Sequence, residues 1–409
     1  MVFEGRARYV VLIALSLLYF LLTATTFNSL GLVLPSMVSE LKWNWAEAGF
    51  GFTLLGLACG LTGMLPAVMI RRIGVSMTLL GGALLLMAGF ITLAATHGVF
   101  AYDVGTILLG LGFSICGTVP GVHVISHSFE RKSTAIGVYF SCGSLGSVAG
   151  PLLFYAVNAH AANWRAYWII AAGIALVLGL FAASVTSAKY ATIHDAANAA
   201  PVDPDAWSAR AALRTPAFYV IVAAYSVFLL VNTTIHSFAA QQLQDIGFSM
   251  GATASLLSMG ALIGAVGSTV GGIVGEKLSP RYLTILSLMG LSLSATGLTL
   301  GHGAGAMAMF VVGLGVGLGF CYVSTAMLLL DFFGKEPNLE LYSLMCMIST
   351  TAALGPALGG VVRDRMGSFN AVFLTCAVLG LVLAVLVLVL RRPHRAGTRA
   401  ERALAAKFG

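Results

Sequence analysis

The chain has 409 residues, of which 58% are hydrophobic and only 9% charged, with a formal net charge of +7. Its mean hydropathy is +0.94. A soluble domain of this length needs far more charge on its surface, so the composition excludes an ordinary soluble protein and points to a polytopic membrane protein.

Twelve apolar runs of bilayer-crossing length follow one another along the chain. Those of the first half are Tyr9–Leu34, Ala46–Ile70, Ser76–Ala95, Asp103–Ile125, Ser133–Val157 and Trp164–Val185. Those of the second are Pro216–Ala240, Gly251–Val274, Tyr282–Gly301, Ala304–Leu330, Leu341–Val362 and Phe369–Leu390. Lipid offers the backbone no hydrogen-bond partner, so each run is expected to be a helix. The first is too long for the core of a secretory signal and lacks a convincing cleavage site, so no removable leader is expected. Six cysteines (Cys59, Cys116, Cys142, Cys321, Cys346 and Cys376) fall inside these runs without CxxC or Cys/His spacing, and read as small core residues.

One long polar stretch, Ser187 to Thr215, interrupts the pattern near its middle. It carries Lys189, His194, Asp195, Asp203, Asp205, Arg210 and Arg214, with Pro201 and Pro204 preventing a continuous helix. On either side the chain repeats itself. A shift of 205 lays Gly110, Gly112 and Cys116 over Gly315, Gly317 and Cys321, and Gly150-Pro151 over Gly355-Pro356. It also lays the turn Arg71-Arg72-Ile73-Gly74 over Glu276-Lys277-Leu278-Ser279. One ungapped offset serving separated places implies a duplicated six-helix unit. The expected fold is therefore all-α and polytopic, with twelve transmembrane helices in two six-helix repeats. Residues 1–186 form the N-terminal half, 187–215 a cytoplasmic linker, and 216–409 the C-terminal half with a basic tail.

Basic residues set the expected orientation. With the N-terminus inside, 18 of the 22 lysines and arginines fall on the cytoplasmic side, which predicts both termini inside at an inner (plasma) membrane. The tail from Arg391 to Lys407 then reads as an anchor against anionic lipid, not as a nucleic-acid site. Gly56, Gly60 and Gly63 in the second span and Gly143, Gly146 and Gly150 in the fifth are spaced for close helix packing.

With these features the chain resembles the major facilitator superfamily. Members carry a G-x-x-x-D-R-x-G-R-R-like motif in the cytoplasmic turn after span two, repeated after span eight. Here the second copy is the fuller one, Gly272-Ile273-Val274-Gly275-Glu276-Lys277-Leu278-Ser279-Pro280-Arg281, whereas Arg71 stands where the acid belongs in the first, followed by Arg72. The resemblance implies a conformational latch built from Arg71, Arg72, Glu276, Lys277 and Arg281. An exporter-type G-x-x-x-G-P-x-x-G-G motif is divided between Gly146–Pro151 and Gly355–Gly360. Phe129–Gly137 and Ala212–Phe218 loosely resemble the monocarboxylate and oxalate/formate porter branches, although the span-one and span-eight signatures of those porters are absent.

A transported solute needs polar groups near the midplane, where each is costly and therefore informative. On these boundaries no acid or base lies there. What remains is neutral: Thr23, Thr25, Thr26 and Asn28 in span one, Asn232, Thr233, Thr234 and His236 in span seven, Tyr139 in span five and Tyr322 in span ten. Serine and threonine commonly bond back to their own helix, and the two tyrosines can equally place their hydroxyls against neighbouring helices. Asn28, Tyr139, Asn232, His236 and Tyr322 are the expected substrate contacts. His236 stands out as a residue that could bind an anion or carry a proton, with a packing histidine as the plain alternative.

These readings converge on a secondary active transporter, not an enzyme. It would move a small organic anion, a carboxylate, by alternating access, with a proton as the candidate co-transported ion and the lipid bilayer as its surroundings. No cofactor, no metal and no nucleic acid are expected, and the chain is expected to act as a monomer. The alternative is a proton-linked exporter of amphipathic drugs or metabolites.

Overall fold

Apolar side chains in lipid leave the backbone to satisfy itself, and the chain does so with helices throughout. The computed structural model describes residues 7–129, 132–161, 163–186, 207–275, 278–334 and 337–393. Within the N-terminal half run α1 (Ala7–Thr25), α2 (Phe27–Leu41), α3 (Trp45–Leu61), α4 (Leu65–Ala94), α5 (Val99–Cys116), α6 (Thr118–Ser128), α7 (Lys132–Ala161) and α8 (Trp164–Thr186). A short α9 (Ala209–Ala212) follows. The C-terminal half holds α10 (Pro216–Asp245), α11 (Met250–Gly275), α12 (Pro280–Thr299), α13 (Ala304–Phe333), α14 (Asn338–Ser349), a 3-10 segment (Thr350–Leu354), α15 (Gly355–Met366) and α16 (Asn370–Val389).

Among the described residues, eleven helical stretches are long and apolar enough to cross a membrane. The remaining predicted span corresponds to α3, a shorter apolar helix of 17 residues. Its predicted continuation to Ile70 is taken up by the start of α4, which then turns at Gly74, where φ is +81°. That angle is open to glycine and strained for other residues. It ends span two at the predicted turn.

Several spans are interrupted near their middle. Thr26, at φ −82° and ψ −97°, separates α1 from α2, and Gly117, at φ −81° and ψ −132°, separates α5 from α6. Span eleven passes through the 3-10 segment between α14 and α15. Each break frees carbonyls that a continuous helix would use, and so places polar backbone inside the bundle.

The N-terminal half is organised by α1 on α7, α4 on α5 and α8, and α3 on α5. The C-terminal half is organised by α12 on α13 and α16, and α11 on α13. The glycine stripe of α7 serves this packing. A Cβ at Gly146 would meet the Phe20 carbonyl and one at Gly150 the Ala24 carbonyl, so the stripe lets α1 lie directly on α7. Large apolar side chains such as Ile169 and Val177 on α8 and Val385 and Val389 on α16 point outward, as a lipid-facing surface requires.

The halves meet at the end of the bundle away from the termini, where α2 lies against α10, α3 against α15, and α7 against α11. At the other end α6 packs on α7, α4, α5 and α1, all within its own half.

Candidate substrate site

The break at Thr26 organises the first cluster. The hydroxyls of Thr25 and Thr26 donate to the carbonyls of Leu21 and Leu22, at 2.7 and 2.6 Å, as helical threonines commonly do. Asn28 Nδ2 donates to the Thr23 carbonyl at 2.8 Å and to Ser147 Oγ at 3.2 Å, tying the broken span to α7. Thr23 Oγ1, on α1, donates to the Gly143 carbonyl at 2.7 Å, a second tie between this span and α7.

Across the bundle, α10 carries Asn232 and His236 one turn apart. His236 Nδ1 lies 2.8 Å from the Asn232 carbonyl. A carbonyl only accepts, so Nδ1 carries the hydrogen, and in the neutral ring Nε2 is left as an acceptor. Asn232 Oδ1 is buried without a hydrogen-bond partner. Such an acceptor costs about 1–3 kcal/mol when unsatisfied, so it invites a donor. Thr233 and Ser237 turn back on their own helix, to the Leu229 and Thr233 carbonyls at 2.8 Å each. About two turns earlier on α10, Ser226 and Ser349 share a 2.8 Å hydrogen bond that links α10 to the end of α14.

Asn28, Asn232 and His236 thus stand on two helices that pack together, α2 and α10. The approach is close. A Cβ at Gly31 would run into the His236 carbonyl, so only glycine permits it. Tyr139 is placed differently, only 1% exposed. Its ring stacks on Tyr19 with centroids 4.6 Å apart, and its hydroxyl donates to the Gly117 carbonyl at 3.0 Å, satisfying the break in span four. The side chain of Tyr322 lies outside the described residues.

Of the expected latch, Arg71 and Arg72 are exposed just before the Gly74 turn. Glu276 and Lys277 lie outside the described residues. Arg281 donates to the Leu390 carbonyl and stands over the Phe332 ring, with its guanidinium carbon 5.9 Å from the centroid. With Ser279, Tyr282, Asp331 and Arg392 it lines a cavity of about 260 Å³, where Arg392 pairs with Asp331 at 2.6 Å. Sequence reasoning did not connect Asp331 or Arg392 to this turn, because their spacing from Arg281 carries no local signal.

The sequence also matches the description Major Facilitator Superfamily over residues 15–347. The chain belongs to the Major Facilitator Superfamily. Membership makes it a membrane transporter and not an enzyme. No curated protein matches the sequence closely enough to name a nearer relative.

Solved superfamily structures share the fold. A bacterial homologue of the human lysosomal transporter Spinster, in an inward-facing and unoccupied conformation, superposes with a TM-score of 0.75 at 16% identity, covering 94% of this chain and 96% of that one. The nucleoside transporter NupG gives a TM-score of 0.75 at 14% identity, with coverage of 92% and 99%. The peptide transporter POT gives 0.73 at 16% identity, with coverage of 92% and 93%. At these identities the likeness speaks for the superfamily fold and leaves the substrate open.

Proposed function

We propose that this superfamily member is a secondary transporter for a small carboxylic acid, carried together with its proton. The two halves, 1–186 and 216–409, would rock about the junction of α2 and α10, with 187–215 as the connecting linker. Both termini would lie in the cytoplasm of a cell whose inner membrane holds the protein as a monomer.

The observation that carries this reading is the buried, unpartnered Oδ1 of Asn232 beside an otherwise neutral set of groups. From Thr23 to Ser29 and from Asn232 to Ser237 the polar side chains are amides, hydroxyls and one imidazole. A bare carboxylate would bring an uncompensated charge to this depth, at a cost of about 3 kcal/mol or more. An undissociated acid brings none. Its O–H can donate to Asn232 Oδ1 or to Nε2 of His236. In this reading the proton rides on the substrate, and His236 recognises the acid without titrating.

The test is uptake into proteoliposomes of a panel of short monocarboxylic acids, set against lipophilic cations. Uptake of an acid is expected to rise as external pH falls from about 8 to 6, and to persist in that form in His236→Gln. Asn232→Leu should weaken apparent affinity about tenfold or more, the size of one buried hydrogen bond. Loss of the pH dependence in His236→Gln would move the proton to the imidazole. Movement of the lipophilic cations in place of the acids would favour the exporter reading.

A further inference from the structure

Helix α3 begins at the end of the bundle away from the termini, and its first N–H groups have no partner within the helix. Asn44 and Glu47 satisfy two of them from the helix itself. Glu47 N donates to Asn44 Oδ1 at 2.8 Å, and Asn44 N donates to Glu47 Oε2 at 3.1 Å, forming a capping box. The two between them are satisfied by the other half of the molecule. Trp45 N donates to Asp364 Oδ1 at 2.9 Å, and Ala46 N donates to Asp364 Oδ2 at 2.8 Å. Asp364 lies in the last turn of α15.

The reverse bond is present one level deeper. Ala357 N, at the start of α15, donates to the fully buried Thr53 Oγ1 of α3 at 3.1 Å. Around these bonds the backbones touch. A Cβ at Gly360 would run into the Trp45 carbonyl, and one at Gly49 into the Pro356 carbonyl. The partly buried Trp45 ring makes edge contacts with the stacked rings of Phe238 and Phe369 in the other half, at 6.0 and 5.3 Å.

We propose that Asp364 is a positioning residue of the transport cycle: it caps α3 in trans and holds the halves together at this end. When the halves part here, Asp364 leaves, and α3 keeps only its own capping box. The carboxylate is favoured at this place by the positive end of the helix as well as by the two hydrogen bonds. Asp364 is exposed, so water replaces it when the seam opens. The latch is therefore reversible, of the strength of one helix cap, and shifts the closed-to-open ratio by roughly fivefold. This requires only that the protein be a transporter with two halves, and is independent of the carboxylic acid reading.

Hydrogen exchange on the full-length protein in nanodiscs tests it without a substrate. Asp364→Asn keeps the side-chain shape and removes the charge. It is expected to speed exchange severalfold at residues 45–48 and also at 250–256 of α11, because the neighbouring contact between the halves opens with it. Asn44→Ala, which removes the cap that α3 makes for itself, should speed exchange only within α3. Asp364→Glu, which keeps the carboxylate, should restore much of the protection if the variant protein melts like the wild type. Faster exchange confined to 45–48 in Asp364→Asn would reduce the residue to a local cap and overturn the proposal, as would no change at either place.

Discussion

Of the seams that join the halves at the end away from the termini, the repeat makes two counterparts: α3 against α15, and α7 against α11. Adding 205 takes Gly49 to Ala254, Thr53 to Ser258 and the neighbourhood of Trp45 to that of Met250, while Asp364 answers to Ala159, which has no carboxylate to offer. The bonds differ accordingly. In the first seam each half caps a helix of the other, through Asp364 and Thr53, and glycines bring backbone onto backbone. In the second, Asn158 Nδ2 reaches only the Met250 sulfur at 3.6 Å, and Gly251 faces the Tyr155 ring. Ser258 Oγ, in the place of Thr53, is buried without a hydrogen-bond partner. The duplicated fold thus dictates where helices meet, while side chains decide how firmly. The α3 and α15 seam is the firmer and more directional one.

The largest expected effect comes from glycine at the first seam. Gly360→Ala places a Cβ against the Trp45 carbonyl and the Ala46 Cα, both backbone, so neither can swing aside. Forced overpacking costs about 1–3 kcal/mol, enough to shift the closed-to-open ratio at this end by about fivefold or more. Gly251→Ala in the second seam meets the ring of Tyr155 at 3.0 Å, and that side chain is 43% exposed and free to turn outward. Spin labels at Phe100 and Met366, exposed positions on opposite halves, report the difference on a background lacking the native cysteines. A population at longer distance is expected in Gly360→Ala and not in Gly251→Ala. Equal distributions in the two variants would mean that backbone contact does not limit closure.

The next effect concerns the deeper cap. Thr53→Val keeps the shape and removes the acceptor, leaving the Ala357 N–H buried beside a methyl group. The cost is about 1–2 kcal/mol of stability in the closed form. Thermal melting in detergent should show a clear decrease, and Thr53→Ser, which keeps the hydroxyl, should recover most of it. A valine variant as stable as wild type would show that the Ala357 N–H finds another partner.

How far the sequence could anticipate this arrangement depends on the kind of force involved. Span number and repeat were legible, because the bilayer demands long apolar helices and duplication preserves their spacing. The interruptions were only partly so. Proline is the residue that most often breaks a helix. Pro120 and Pro356 stand in the first turns of α6 and α15, just after the breaks at Gly117 and at the 3-10 segment, but Pro35 and Pro151 sit inside continuous helices and the break at Thr26 has no proline beside it. The Thr23 carbonyl beside that break is satisfied by Asn28 and the Gly117 carbonyl by Tyr139 of another helix, pairings that no local pattern announces. The polar patches at Asn28 and at Asn232 to His236 were legible as costly groups in an apolar setting. The close packing of the two helices that carry them, α2 and α10, depends on Gly31, one glycine among 48. Asp364 reads in sequence as a loop acid between two arginines. Its role exists only because the other half presents two N–H groups to it.

The smallest expected effect comes from the weak counterpart of Thr53. Ser258 is 4% exposed, and its hydroxyl is buried without a hydrogen-bond partner. A helical serine usually returns its hydrogen to a carbonyl one turn earlier, so an unused one signals a site where the hydroxyl contributes little. Removing it relieves an unsatisfied polar group, which favours the variant, and leaves a gap of one oxygen atom, which opposes it. Alanine also suits a helix slightly better than serine, by a few tenths of a kcal/mol. The terms nearly cancel with a bias toward gain, so Ser258→Ala should melt within about 0.5 kcal/mol of wild type or slightly above it. The contrast with Thr53→Val is the informative quantity, since the positions are related by the repeat and both are buried. If Ser258→Ala is instead destabilised as much as Thr53→Val, the hydroxyl has a partner in another state of the cycle. The second seam would then be held by a cap of its own when the first is open.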